Sequence, residues 1–525
     1  MSLNTQSKSK GFGLTIDGWK NRSGSHIYNF LLHTTVSMKK ILSDFIDVGA
    51  SQQTTEYIYL KVLDFIEKIG ETKFFVFVSD TPSVMKGVWK LIHVMKHMPW
   101  ISAFGCCSHI VNLLAESISR MGKFKRIIAK IRDIAKFCKR QTPHAVLKEI
   151  QQELCKKTMS LTLPNETRWN GTLDLLVKVS SSRVALERLC FDDRIRNHTS
   201  HDLIDHLKRI KANICDEEFW MTLDYLLLIL KPIGKLLDIL QSDCAILSDA
   251  PRLVEDASNA IADGLSKTRE KKILSEAEIE QVKKLCDKRF STLQQDIMFS
   301  ASMLDPRVDF GSRLSNSQKQ KGMAKLFDIV NASPLFQEHS DAILLEFCDL
   351  RNEANLFSDN CIAKKAQHLV SDGVMEPGRW WASFFPGSKL AHLAEILLSM
   401  PITSATNERN WSIAGNLHSK NRNRLGTERL KASVLIKHNR IFEKATPKMI
   451  SYRSSDVVAD ADDDIVISEG TDQTNEENVQ NSADPEYDED EDGEDDDEIV
   501  DDEAQFSSES DDEAELEDDV TDELK

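Results

Sequence analysis

The sequence predicts an α/β domain joined to a larger all-α part and followed by an acidic tail. Three observations carry this prediction. Strand-type runs are confined to the first 110 of the 525 residues. From about residue 120 to 375, apolar residues recur at helical spacing with few strand signals. Beyond residue 455 the chain is rich in Asp, Glu and Ser, with too little apolar surface to offset chain entropy, so this tail is expected to be disordered.

Taken in order, GFGLTIDGW (11–19), SHIYNFLLHTTVS (25–37) and ILSDFIDVG (41–49) are short β-rich runs split by polar breaks. They read as a three-stranded antiparallel meander. TTEYIYLKVLDFIEKIG (54–70) has helical spacing and stops at Gly70. KFFVFVSD (73–80) reads as a buried strand, and a helix follows from near Pro82, a residue suited to a first turn. SAFGCCSHIVNLLAESI (102–118) gives a last short strand running into a helix. The order β-β-β-α-β-α-β-α is that of an RNase H-like domain. Leu223–Leu240, the most apolar stretch, is interrupted by Asp224, Lys231, Pro232 and Lys235 and reads as a buried core helix, not a membrane span. Three further helices are expected over 379–444, with breaks at Pro386-Gly387, Pro401 and Gly426. The expected divisions are 1–119, 120–375, 376–445 and 446–525, the third completing the α/β core.

Charge is split along the chain. Residues 456–525 hold 34 Asp and Glu against one Lys, net −33, whereas residues 1–455 hold 65 Lys and Arg against 50 Asp and Glu, net +15. A basic body predicts a polyanionic partner, most commonly nucleic acid. The first thirteen residues lack the apolar core of a signal peptide, so an intracellular protein is expected. Ten cysteines without a CxxC, several at apolar helical positions such as Cys138, Cys155 and Cys348, suggest buried free thiols, not disulfides or a four-cysteine zinc site.

The chemistry rests on carboxylates. Asp17 ends the first predicted strand and Asp80 the fourth. Adjacent strands would aim both at one spot, where their repulsion is costly unless a cation such as Mg²⁺ neutralises it. Two such ions can activate a hydroxyl and stabilise a leaving oxygen in phosphoryl transfer. The plainer alternative is a pair of strand-end aspartates that cap turns. A third carboxylate, Glu408, lies in PITSATNERNWSIAG (401–415), in the first turns of a helix with Ser404 as its N-cap.

At this segment the chain resembles the hAT family of DNA transposases, whose C-terminal signature reads SAxxERxFS. RWWASF (379–384) before it and HSKNRNRLGTERLKASVLIKHN (418–439) after it resemble that family's flanking sequence. TIDGWKNRSG (15–24) and VSDTPSVMKG (78–87) are similar to the motifs bearing its first two catalytic aspartates, and CCSHIVNLL (106–114) preserves its CxxH as Cys106 and His109. ETRWNGTLDLL (166–176), FWMTLDYLLLILKPI (219–233) and ASMLDPRVDF (301–310) resemble parts of its helical insertion.

The resemblance implies a DDE set of Asp17, Asp80 and Glu408 holding Mg²⁺ or Mn²⁺, with His109 near the scissile phosphate. It also implies Trp169 stacked on an unpaired base and Arg168 on the adjacent phosphate. Core packing is the alternative for Cys106, His109 and Trp169, and packing is expected for Trp380, Trp381 and Trp411. Lys420, Arg422 and Arg424, with Arg429, Lys431, Lys437 and Arg440, form either a DNA contact or an ordinary solvated face. Leu430, Val434 and Leu435 form an apolar face for the core or for a second protomer. The partners so implied are DNA, a second copy in a homodimer or higher oligomer, and basic proteins for the acidic tail, with no membrane. The location implied is nuclear. The family's N-terminal BED zinc finger has no counterpart ahead of Asp17, and Thr81 and Pro82 replace the usual Asn-Ala after the second aspartate, so specific end recognition is expected to be weakened. A domesticated, catalytically silent dimerising or chromatin-binding protein is the alternative to an active transposase.

Overall fold

The computed structural model describes residues 8–20, 26–36, 38–48, 54–94, 98–164, 169–242, 244–358, 361–417, 427–444 and 450. Within them the chain is mostly helical, with one mixed five-stranded sheet near the N-terminus. The strands are β1 (Phe12–Lys20), β2 (His26–Thr34), β3 (Lys40–Asp47), β4 (Phe74–Ser79) and β5 (Ser102–Gly105), in spatial order β3-β2-β1-β4-β5. The first three form the predicted antiparallel meander, and β1, β4 and β5 run parallel. Parallel neighbours need crossovers, supplied by the helices Thr55–Ile69 and Ser83–Val94. All six residues of β4 are buried, as expected for a central strand covered on both faces. The predicted element order over this region is the observed one.

The helical part is built around Glu217–Gln241, the helix anticipated from the apolar stretch at 223–240. Thirteen of its residues are buried, and Pro232 is accommodated inside it. Among the described residues no helix is long and apolar enough to cross a membrane. Among the described residues beyond 376 there are four helices where three were expected, Pro377–Phe384, Lys389–Leu397, Ala405–Leu417 and Thr427–Lys444. Each of the three predicted breaks separates two helices, because proline or glycine interrupts the chain before any helix can continue.

Cys106, Cys107, Cys138, Cys190 and Cys286 are buried free thiols, but Cys348 is exposed, contrary to expectation. Helix Ser340–Arg351 buries Ile343 and Phe347, and Cys348 lies one residue, about 100°, further round. The side chain of Cys155, and all of the acidic tail, lie outside the described residues.

A buried ionic knot stiffens the route back to the sheet. Arg307 pairs with Asp249 at 2.8 Å and Asp305 at 2.7 Å, and all three side chains are fully buried. Asp249 Oδ2 also accepts from the Ile246 amide at 2.8 Å. Ile246 in turn forms an isolated antiparallel bridge with Pro401, while Leu247 N donates to Met400 O at 3.1 Å. The knot therefore fixes the segment that leads the chain into helix Ala405–Leu417.

Candidate active site

Register brings the first two carboxylates together. Ile16 of β1 pairs with Ser79 of β4 in parallel, so Asp17 and Asp80 are the next residues of adjacent strands. The third arrives from far along the chain. Cys107 N donates to Ile402 O at 3.0 Å, and Ser404 N donates to the buried Cys106 Sγ at 3.2 Å. Cys106 Sγ also lies 3.0 Å from Ser108 Oγ and 3.4 Å from Thr403 Oγ1. Cys106 thus fastens the 401–404 segment to the end of β5, which is the packing role weighed for it. The helix entry is bonded by Thr403, whose Oγ1 accepts from Ala405 N at 3.1 Å. Gly13 permits the close approach of this segment, since a Cβ there would meet Pro401 Cδ at 2.7 Å.

The residue before Glu408 is the key that docks its helix. Asn407, fully buried, donates through Nδ2 to Asn29 Oδ1 at 2.6 Å and Thr15 O at 3.0 Å, and accepts from Thr15 Oγ1 at 2.6 Å. Asn29 Nδ2 donates back to Asn407 O at 3.0 Å. Asn29 lies opposite Asp17 in the β1–β2 ladder, so this network sets Glu408 beside the strand that carries Asp17. Nothing in the sequence marked Asn407 or Asn29. The only available signal was a polar residue on the face of a helix that must bury itself.

Trp411, one turn beyond Asn407, corrects a second expectation. It does pack, stacking on Trp19 at 5.3 Å and meeting Phe45 edge-on at 5.7 Å. It also donates from Nε1 to Asp17 Oδ2 at 2.7 Å, which makes it part of the site. Tyr28 was missed as well. Its ring crosses Gly18, where a Cβ would meet Tyr28 Cε1 at 2.9 Å, and the charges of Asp80 and Asp17 add to burial in raising its phenol pKa.

The electrostatics are those of crowded carboxylates. Burial pushes Asp17 up to about 8, with the charges of Asp80 and Glu408 adding to the rise and the Trp411 hydrogen bond opposing it. Asp80 is pushed up to about 6 by burial and by Glu408. Among the described residues, Asp80 Oδ1 is buried without a hydrogen-bond partner, an arrangement that costs about 1–3 kcal/mol. An all-carboxylate donor set with one unpartnered buried oxygen fits a hard divalent cation such as Mg²⁺. As the side chains stand, however, no three His, Cys, Asp or Glu among the described residues are grouped to hold a metal ion.

His109 lies in the first turn of helix Cys107–Ser119, half-buried. Burial lowers its pKa, Glu116 raises it and Arg289 lowers it, so the charges acting on it are not the three carboxylates. Trp169 is 4% exposed and donates from Nε1 to Ser119 Oγ at 2.5 Å, the core alternative weighed for it, because its ring closes the junction between helices Cys107–Ser119 and Trp169–Ser181. Trp380 and Trp381 pack, donating to Ala363 O at 3.0 Å and Leu304 O at 2.7 Å. Arg168, Lys420, Arg422 and Arg424 lie outside the described residues. Lys431 is engaged internally, 2.5 Å from Asp44. Leu430 and Val434 pack against Ile27, Leu31, Leu42 and Phe45 of the sheet, so that face turns to the core and not to a second protomer.

Residues 2–134 match a domain of unknown function (DUF659), residues 104–212 match the ZBED1 RNase-like helical domain, and residues 356–440 match the hAT family C-terminal dimerisation region. No curated protein matches the chain. Together these matches support an hAT-family, transposase-like protein that dimerises.

Proposed function

We propose that this protein is the core of a metal-dependent DDE phosphoryl transferase acting on DNA, in which the sheet and helix Ala405–Leu417 form an RNase H-like domain. Asp17, Asp80 and Glu408 are its carboxylate set. One observation carries the reading: carboxylates from three elements, the first and third 391 positions apart in sequence, meet where Asp17 and Asp80 are buried, and beyond burial the charges of Asp80 and Glu408 raise the proton affinity of Asp17 and that of Glu408 raises Asp80. Gathering like charges opposes folding, so an arrangement of this kind points to function.

Bound Mg²⁺ or Mn²⁺ would supply charge neutralisation, activation of an attacking hydroxyl and stabilisation of a leaving oxygen. The protein's own part is positional. Trp411 holds one oxygen of Asp17 and so fixes its rotamer, while the unpartnered Oδ1 of Asp80 is the donor most in need of a cation. Asn407 sets the position of Glu408, which with the two aspartates would hold the cation. His109 acts at the edge of the site. Arg168, Lys420, Arg422 and Arg424 contact phosphates, and Trp169 supports the insertion by packing. The DNA role carries with it a nuclear location, and the acidic tail a basic protein partner.

Nicking and strand transfer with Mg²⁺ or Mn²⁺, comparing the parent chain with Asp80→Ala and Glu408→Ala, tests this. Metal-dependent cleavage abolished by both substitutions is the expected result. A second reading, a silent transposase-derived dimerising protein, is favoured by Asp17 at about 8, which leaves it mostly protonated at neutral pH, and by the lack of a grouped ligand set as the side chains stand. Folded, dimeric protein without any cleavage would select it.

A further inference from the structure

At the other end of β5 from the carboxylates lies a separate cavity of about 210 Å³. It opens at the outer edge of the sheet, between Ser102 and Phe104 of β5, His93, the turn Gln294–Asp296, and Lys325 of helix Asn316–Ala332. Ser102 pairs with Val76 in the β4–β5 ladder, three rungs before the Gly105–Ser79 pair that borders Asp80. At about 3.3 Å per residue the Ser102 wall of the cavity is roughly 10 Å from the Gly105–Ser79 pair along the strands.

Among the described residues, two of its polar groups find no hydrogen-bond partner, the Ser102 hydroxyl and the Lys325 ammonium. Ser102 is 6% exposed, and its hydroxyl has no hydrogen-bond partner. Lys325 is half-buried, and Asp296 and Asp328 act on it through space and not through a hydrogen bond. Burial lowers its pKa, which means that its charge is poorly solvated. Gln294 Oε1 is already taken by Gln318 Nε2 at 3.1 Å, so its amide N–H groups remain as donors. Gln295 Nε2 is spent on Thr292 O at 2.9 Å, leaving its carbonyl as an acceptor beside exposed Asp296.

The Ser102 hydroxyl, the Lys325 ammonium and the Gln294 amide are donors that suit an oxyanion, and the Gln295 carbonyl and Asp296 carboxylate in the same lining are acceptors that suit a ligand with N–H or O–H groups. An apolar ligand would strand Ser102 and Lys325, and a free cation would repel Lys325. We propose that this cavity binds a phosphate monoester of the nucleotide class, with the phosphate on Ser102 and Lys325 and the hydrogen-bond donors of the ligand on Gln295 and Asp296. The same chemistry could come from a free mononucleotide or from the phosphorylated end of a DNA strand.

The test uses the full chain. Acetylation of Lys325 is followed by mass spectrometry with inorganic phosphate, AMP, a 5′-phosphorylated oligonucleotide and its 5′-hydroxyl counterpart, and AMP binding is measured by equilibrium dialysis. Phosphate and AMP should slow labelling of Lys325 at least tenfold, and Ser102→Ala and Lys325→Gln should each weaken AMP binding at least tenfold without changing Tm. Protection by the 5′-phosphorylated strand but not the 5′-hydroxyl strand would identify a DNA end as a source, and protection by AMP alone a free nucleotide. Equal labelling with and without every probe would overturn the proposal, as would variants that bind AMP as well as the parent chain.

Discussion

Asn407 contributes more to the site than its neighbours in sequence suggest. Its amide satisfies buried groups on β1 and β2 at once, so Asn407→Ala leaves the Asn29 carboxamide and the Thr15 hydroxyl short of partners. The cost should be about 1–3 kcal/mol, read as a lower urea midpoint. Trp411 poses a sharper electrostatic question. Its hydrogen bond opposes the rise of Asp17, so Trp411→Phe should move that carboxyl above about 8. Carboxyl NMR titration follows the change, and an unmoved midpoint would mean that the bond contributes nothing. Both residues have the same physical basis: a polar group taken out of water must find its partner inside, and the partner here lies nearly 400 positions away.

At the scale of elements, the 401–404 segment and the terminal helix decide whether the site exists. The segment is anchored through Pro401 and Ile246 to the Arg307 knot. Arg307→Ala would leave Asp249 and Asp305 buried with their pairing cation removed, at a cost of about 3–5 kcal/mol in a denaturation measurement. The terminal helix Thr427–Lys444 clamps the opposite edge. Asn439 accepts from Leu42 N at 2.9 Å and donates to Leu42 O at 3.0 Å, occupying backbone groups of edge strand β3. Leu430→Ala should cost about 2–5 kcal/mol and expose β3 to hydrogen exchange. The outward face behaves differently. Ile436 and Ile441 are exposed beside Lys437 and Arg440, within or adjoining the matched dimerisation region. Ile436→Asp should leave the monomer's stability within about 0.5 kcal/mol while weakening self-association in sedimentation, and an unchanged dimer would place the interface elsewhere.

Over the whole molecule the crowded carboxylates make stability depend on pH. Asp17 near 8 and Asp80 near 6 bind protons more tightly in the folded state than in the unfolded chain, where an Asp titrates near about 4. Their contribution is therefore greatest in acid and declines as pH rises from about 4 to 8. Tm should fall over that range, Asp17→Asn should flatten the fall, and Mg²⁺ should restore Tm most at the alkaline end. A pH-independent Tm would contradict the coupling. Much of this organisation was legible beforehand. Short β-rich apolar runs marked all five strands, because a strand buried on both faces is apolar throughout, and proline and glycine marked the helix breaks, because they stop hydrogen bonding locally. Asp17, Asp80 and Glu408 were legible as matches to family motifs, although Asp17 lies inside β1 and not at its end as expected, because the ladder with β2 continues to Lys20. Cys348 misled because an apolar residue type says nothing about which way a helix is rotated. Trp411, Tyr28 and Asn407 were not legible as site residues, and Leu430 and Val434 were legible only as an apolar face with two possible partners. The sequence by itself determined most of the elements and carried the family resemblance, since both reside in local pattern. Only the tertiary structure decided which face meets which, because register across the sheet and docking of a helix from the far end of the chain depend on contacts that local sequence does not record.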